Sequence, residues 1–318
     1  MVRSCQILPL STDVPPQGEL HSLPQLRLEG SRAEMLAYFE NTWALTELLF
    51  SGLANEEAFY RRPYHKLRHP MIFYYAHPVV LYVNKLRLAG LIAGPVRAEF
   101  EALFETGVDE MRWDDLYEGA QDVWPPLDEV QAYRREVYGI IHHLIQRLPE
   151  QLSITQQSPL WALVMGFEHE RIHLETSSVL IRELPVECVQ KPEGWPAFHA
   201  LKAHTAKVPR AGVDFPENSM VSVPECEVTL GKPRDFPTFG WDNEYGAEVR
   251  RVQPFGANKY LISNGEFYAF VAAGGLRARA LVAARGLGVA QFPQYEMALF
   301  LGAWWPGGAE PVSAAHGI

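Results

Sequence analysis

Four stretches of the chain carry apolar residues at helical spacing over roughly twenty positions each, the pattern of helices that bury one face. They predict helices at about 31–53 (SRAEMLAYFENTWALTELLFSGL), 70–92 (PMIFYYAHPVVLYVNKLRLAGLI), 127–148 (LDEVQAYRREVYGIIHHLIQRL) and 159–184. Pro70 suits a first helical turn, and Pro78 is expected to kink the second helix just after His77. Before the fourth helix, Ser158 is the expected N-cap and Pro159 the first-turn residue, with Pro185 forcing the stop. Helices of this length joined by polar loops imply a bundle over residues 31–185. Residues 1–30, rich in Pro, Ser and Gly, form an extended lead-in. From about residue 186 the texture changes. Prolines and glycines recur, and SMVSVP, CEVTLG and KYLIS are strand-like. KPRDFPTFGWDNEYG is an aromatic loop. Residues 186–211 therefore form a linker, and an irregular α+β domain begins near residue 212, so the fold class is α followed by α+β.

Composition narrows the function. Of 318 residues, 47% are hydrophobic, enough for a sizeable core. The net charge of −10 argues against a nucleic-acid surface, which needs a basic stripe. Three cysteines, Cys5, Cys188 and Cys226, are too few and too odd in number for a disulfide framework and fit a reducing compartment. The first residues lack the apolar core of a signal peptide, and there is no apolar run long enough to span a membrane. The expectation is a soluble, cytoplasmic chain of unassigned oligomeric state.

The fourth helical stretch contains His169-Glu170-Arg171-Ile172-His173. Positions i and i+4 share a helix face, so His169 and His173 can grip one ion. Gly166, Thr176 and Leu180 share that face, which therefore looks into the bundle, while Glu170 and Arg171 project elsewhere. The plain alternative is a chance pair on a surface helix. Against it, the neighbours on this face are small or apolar, and burying two unpartnered imidazoles there would cost free energy. The spelling H-E-x-x-H also suggests a zinc peptidase. That reading wants a third ligand downstream, where the chain has Thr176 and Val179, and Glu183 and Glu187 lie too near the helix end.

A bundle draws metal ligands from facing helices. His77, set among Phe73, Tyr74, Tyr75 and Ala76, is the best third ligand, its alternative being a core histidine with a local hydrogen bond. His65 and His69 read as a loop pair, because Pro70 disfavours helix at His69. His142 and His143 are adjacent, point about 100° apart and cannot chelate together. Three imidazoles leave open positions on the ion, and spacing alone does not choose among Zn, Cu, Fe and Ni.

Four runs carry a family resemblance: FYRRPYHKLRHPMIFYYAHPVVLYVNKLRLAGLI, FETGVDEMRWDDL, ITQQSPLWALVMGFEHERIHLETSSVLIRELP and TLGKPRDFPTFGWDNEYG. Over about residues 35–275 the chain resembles the 5-histidylcysteine sulfoxide synthases of ovothiol biosynthesis. These are related to the hercynylcysteine sulfoxide synthases of ergothioneine biosynthesis. The resemblance implies a DinB-like four-helix bundle followed by a formylglycine-generating-enzyme-like, or sulfatase-modifying-factor-like, domain. The family motif H-x-x-x-H-x-E falls on His169, His173 and Glu175, and the family's earlier histidine falls on His77. Glu175 lies well off the ligand face, so it is expected behind the ligands rather than on the metal.

The chemistry implied is joining the sulfur of cysteine to the imidazole ring carbon of histidine, using Fe(II) and O2. Forming the C–S bond removes two electrons, oxidation to the sulfoxide removes two more, and O2 accepts four. No nicotinamide, flavin or oxoacid is needed, and no convincing dinucleotide fingerprint is present. The rival readings are the ergothioneine-branch enzyme with its trimethylated histidine acceptor, the zinc peptidase, and a non-catalytic metal- or thiol-binding DinB-like module.

FGWDNEYG and KYLISNGEFYAFVAAGG resemble the start of the family's second domain, over residues 212–275. Residues 276–318 depart from it. Back-translated and read one base later, VAQFPQYEMALFLGAWWPGG permits WRSFRNMKWPCFWVPGG, which resembles the family's stretch at this point. Met297 followed by Ala298 forces a Trp codon in the shifted frame. The expectation is a frameshift after about Gly275, an incomplete second domain, and a chain with all its metal ligands but impaired activity.

Overall fold

The structure, a computed structural model, describes residues 20–63, 68–105, 124–195, 212–213 and 216–272. Cys5, His65, most of the FETGVDEMRWDDL run, the linker from 196 to 211 and the tail at 276–318 lie outside the described residues. Contacts divide the chain into two units, Met1–Ala197 with Gly231–Gly246, and Phe198–Leu230 with Ala247–Ile318.

The first unit is helical. A short strand, β1 (Glu29–Ser31), leads into α1 (Arg32–Phe50). Ser31 closes that helix start with a capping box: its hydroxyl accepts the Glu34 N–H, and the Glu34 carboxylate accepts the Ser31 N–H at 2.6 Å. After a single turn, α2 (Glu57–Tyr60), comes α3 (Met71–Leu88). α3 runs on through Pro78 as one helix. It stops four residues short of the expected end, because Gly90 takes a φ of 72°. There the Leu91 N–H reaches the Leu86 carbonyl at 2.9 Å and the Gly90 N–H reaches Arg87 at 3.0 Å, a Schellman stop.

The short α4 (Ala98–Leu103) precedes α5 (Leu127–Gln146), and β2 (Gln151–Ser153) pairs antiparallel with β1. α6 (Leu160–Ile181) completes the bundle, with the Ser158 hydroxyl accepting the Leu160 N–H at 3.3 Å. Each long helix thus lies within a few residues of its expected bounds.

α3 and α6 share the most extensive helix–helix packing, and Gly166 lets them approach closely. A Cβ there would sit 2.3 Å from the Tyr82 ring, so only glycine lets the helices approach at this level. Around them lies a core rich in large rings, including Phe39, Trp43, Tyr75, Tyr82, Tyr133 and Phe167, all at most 2% exposed. The aromatic loop 231–246 belongs to this unit. Leu28 N–H donates to the Pro237 carbonyl at 2.9 Å, and Phe239 packs on Trp161 with ring centroids 4.8 Å apart. The boundary expected near residue 212 therefore does not coincide with the division of contacts.

The second unit holds β3 (Met220–Val223), β4 (Cys226–Leu230), β5 (Glu248–Val252), β6 (Phe255–Asn258) and α7 (Asn264–Ala272). β3 pairs antiparallel with β6, and β4 with β5. SMVSVP and CEVTLG are strands as expected, but KYLIS is not. Ser263 and Glu266 form a capping box, the Ser263 N–H donating to the carboxylate at 2.8 Å, and this local pairing turns the segment into the entry of α7. Among the described residues, no helix is long and apolar enough to cross a membrane.

Candidate metal centre

His77 sits in the middle of α3, and His169 and His173 lie one turn apart on α6. The close α3–α6 packing brings all three together, with one ring nitrogen of each within 4.8 Å of the others. Ring centroids are 5.0 Å apart for His77–His169, 4.8 Å for His77–His173 and 4.4 Å for His169–His173. The Nε2 atoms of His169 and His173 are 3.2 Å apart. Two nitrogens each about 2.0–2.1 Å from one ion stand about 3.0–3.4 Å apart, so this separation suits a shared metal.

His77 is held from behind. Its Nδ1 lies 2.6 Å from the Phe104 carbonyl. A carbonyl only accepts, so Nδ1 carries the hydrogen and Nε2 keeps a bare lone pair. Phe73 stacks on the ring at 4.9 Å, and Tyr74 stands against His173 at 6.1 Å. Burial depresses the pKa of all three imidazoles. For His77 the Phe104 hydrogen bond partly opposes this. His169 is pushed well down by burial, then by His173, His77 and Lys85. His173 falls to about 3 through burial and the nearby His77. The histidines are therefore neutral at pH 7, the state that binds metal without first losing a proton. The Nδ1 atoms of His169 and His173 are buried with no hydrogen-bond partner among the described residues. Three neutral, inward-facing imidazoles fit a metal better than they fit a packed core.

The other candidates separate from this cluster. Glu175 is exposed, and no hydrogen bond or ion pair joins its side chain to the three imidazoles, so the place behind the ligands falls to the Phe104 carbonyl instead. The His69 ring lies tilted against Phe73, with centroids 4.3 Å apart, outside the cluster. His142 faces Glu40 at 3.3 Å and stacks on Tyr138.

Glu170 does project elsewhere, and its destination was not legible in the motif. It is fully buried, accepting hydrogen bonds from Thr46 Oγ1 at 2.8 Å and Tyr82 Oη at 2.9 Å. Arg134, 1% exposed, lies 3.8 Å away and donates to Glu47 at 2.8 and 3.0 Å. Its third arm meets the Tyr75 carbonyl, and its plane rests on the rings of Trp43 and Tyr75 at 4.5 and 4.2 Å. Burial raises the Glu170 pKa, and Arg134, Thr46 and Tyr82 pull it back. A peptidase needs this carboxylate free beside the metal to activate water. Here it is enclosed by α1, α3 and α5, which counts against the zinc-peptidase reading. One signal for Arg134 existed: with Val130, Val137 and Ile141 it completes the apolar stripe of α5, an odd place for an unpaired charge.

Comparison with known proteins agrees with this layout. Residues 38–177 match the DinB superfamily. Ergothioneine biosynthesis protein 1 of Neurospora crassa is 27% identical over 245 residues, covering 72% of this chain and 26% of that protein. The protein of the same name from Schizosaccharomyces pombe is 24% identical over 241 residues, covering 64% of this chain and 29% of that protein. The chain thus spans under a third of the length of these relatives. The helical unit that carries the three histidines is DinB-like.

Proposed function

We propose that this chain carries the metal-binding part of an iron-dependent, O2-using sulfoxide synthase that joins a cysteine-type thiol to the imidazole ring of a histidine-type substrate. The convergence of His77, His169 and His173 in a DinB-like bundle carries the reading. The names of the two relatives favour the ergothioneine branch, so the acceptor proposed is trimethylated histidine, with histidine itself as the competitor. This reverses the order suggested by the family runs, which favoured ovothiol. The α+β unit is proposed as the start of a sulfatase-modifying-factor-like domain.

The balance closes: one thiol, one imidazole C–H and one O2 give the aryl sulfoxide and one water. Fe(II) held by the three imidazoles would supply the electron exchange with O2 and a soft-ligand site for the thiolate. The chain's own groups do the rest. The Phe104 carbonyl keeps His77 in the tautomer that offers Nε2. Phe73 and Tyr74 line the cluster and keep bulk water from its inner side. Glu170 anchors α6 to α1 and α3 and takes no proton from substrate. Glu175 is given no role.

The test is anaerobic loading with Fe(II), then nitric oxide, read by EPR with and without cysteine. Incubation with O2 and either acceptor follows, read by mass spectrometry. The expected result is a high-spin iron–nitrosyl signal, absent in His169→Ala and altered by cysteine, with sulfoxide formed more readily from trimethylated histidine. A signal independent of His169 overturns the assignment of the ligands. Peptide cleavage lost in Glu170→Gln would restore the peptidase.

A further inference from the structure

His77 and the carbonyl that orients it are far apart in sequence, and the carbonyl sits at the end of a weak element. Phe104 follows α4, a helix of only six residues, too short to hold itself together in isolation. No side chain caps its N-terminus from in front. Glu101 does so from within. Its Oε1 accepts the N–H of Val96 at 2.7 Å and of Arg97 at 3.0 Å, and its Oε2 meets Arg87 of α3 at 3.4 Å. The carboxylate is 3% exposed, so these bonds do not compete with water. At the other end of α4 the Phe104 ring is fully buried, stacked on Trp124 at 5.6 Å and edge-on to Phe100 at 5.8 Å. The turn is thus pinned at both ends, and the Phe104 carbonyl is delivered to His77 Nδ1.

We propose that Glu101 is a positioning residue for the metal centre: by closing the α4 turn on α3, it holds the Phe104 carbonyl against His77 and so fixes which ring nitrogen faces the metal. Glu101 touches neither metal nor substrate. Its action passes through two backbone N–H groups, one helical turn and one carbonyl. The inference rests on the metal-site reading above but concerns a different observable, the tautomer of one histidine.

The test uses the metal-free full chain. Long-range 1H–15N NMR reports which imidazole nitrogen of each histidine carries hydrogen, and Co(II) titration reports affinity. In the wild type His77 is expected as the Nδ1–H tautomer. In Glu101→Ala the His77 signals move toward a tautomer mixture while those of His169 and His173 stay. The Co(II) dissociation constant then rises about 10-fold, the scale of losing a partner behind a metal ligand. Glu101→Gln keeps a carbonyl oxygen for the two N–H groups and recovers most of the wild-type behaviour. It also serves should the alanine variant fail to fold. Unchanged His77 signals in a folded Glu101→Ala, or Glu101→Gln behaving as badly as alanine, overturn the proposal. Wild type that binds no Co(II) overturns the metal site instead, and the tautomer measurement still decides the role of Glu101.

Discussion

The helical unit and the α+β unit both contain apolar residues, yet among the described residues only the helical unit buries them. In the first, Phe39, Ile72, Val79, Val130, Ile141 and Phe167 are fully enclosed. In the second, no described side chain is buried, and Leu261 is 94% exposed, Met220 64% and Ile262 56%. The reason is architectural. Helices α1 and α3 each pack an apolar face against both α5 and α6. Among the described residues, the pairs β3–β6 and β4–β5 are separate two-stranded sheets, which are marginal by themselves. Catalytic geometry needs rigid support, and here the three histidines stand on the unit that has it.

The contrast can be broken most forcefully at Arg134. Arg134→Leu leaves the buried Glu170 and the partly buried Glu47 without their guanidinium, so the bundle's unfolding free energy should fall by about 3–5 kcal/mol. Urea titration followed by far-UV circular dichroism measures this. A loss under about 1 kcal/mol would mean the network is wetter than the structure has it.

Next comes the metal. His169→Ala should weaken Co(II) or Fe(II) binding about 100-fold or more, and metal should raise the melting temperature of the wild type but not of the variant. Metal stabilisation surviving in His169→Ala would place the ion elsewhere.

Acid should unfold the metal-free bundle early. The pKa values of His77, His169 and His173 are all depressed in the fold, that of His173 to about 3. Below the ordinary histidine value of about 6.5 the unfolded chain takes up protons that the folded chain refuses, so stability falls as pH falls. The slope is about 1.4 kcal/mol per pH unit for each histidine that stays neutral below about pH 6.5, and for His173 it persists to about pH 3. Glu170, whose pKa is raised, works in the opposite direction and gains folded-state stability on protonation. Denaturation across pH 4–7 checks the sign, and saturating Co(II) should flatten the upper part of the curve.

The smallest effect is expected in the second unit. Leu261→Ser removes an apolar side chain that packs on little, so the change should stay within about 0.5 kcal/mol. Solubility should rise, since exposed apolar surface favours association. A large loss of stability would show that this surface is covered in solution.

Much of the helical unit could be read from the chain alone. Periodicity placed the four long helices, Ser158 and Pro159 marked the start of α6 to within two residues, and i,i+4 spacing put His169 and His173 on one face. His77 stood out because an imidazole in so apolar a segment needs a partner. All these are local signals, carried within one or two helical turns. Sequence could not show what depends on approach between distant segments. Glu170 meets Thr46 and Tyr82 only because α1, α3 and α6 pack side by side. The Phe104 carbonyl reaches His77 across 27 residues. The aromatic loop 231–246 belongs with the bundle because Phe239 finds Trp161. KYLIS, apolar enough for a strand, became a helix entry once Ser263 and Glu266 closed their box. Local preference decided where helices form and which face carries the histidines. Tertiary packing decided which buried polar groups support them, because a buried charge or carbonyl is satisfied only by whatever the fold brings beside it.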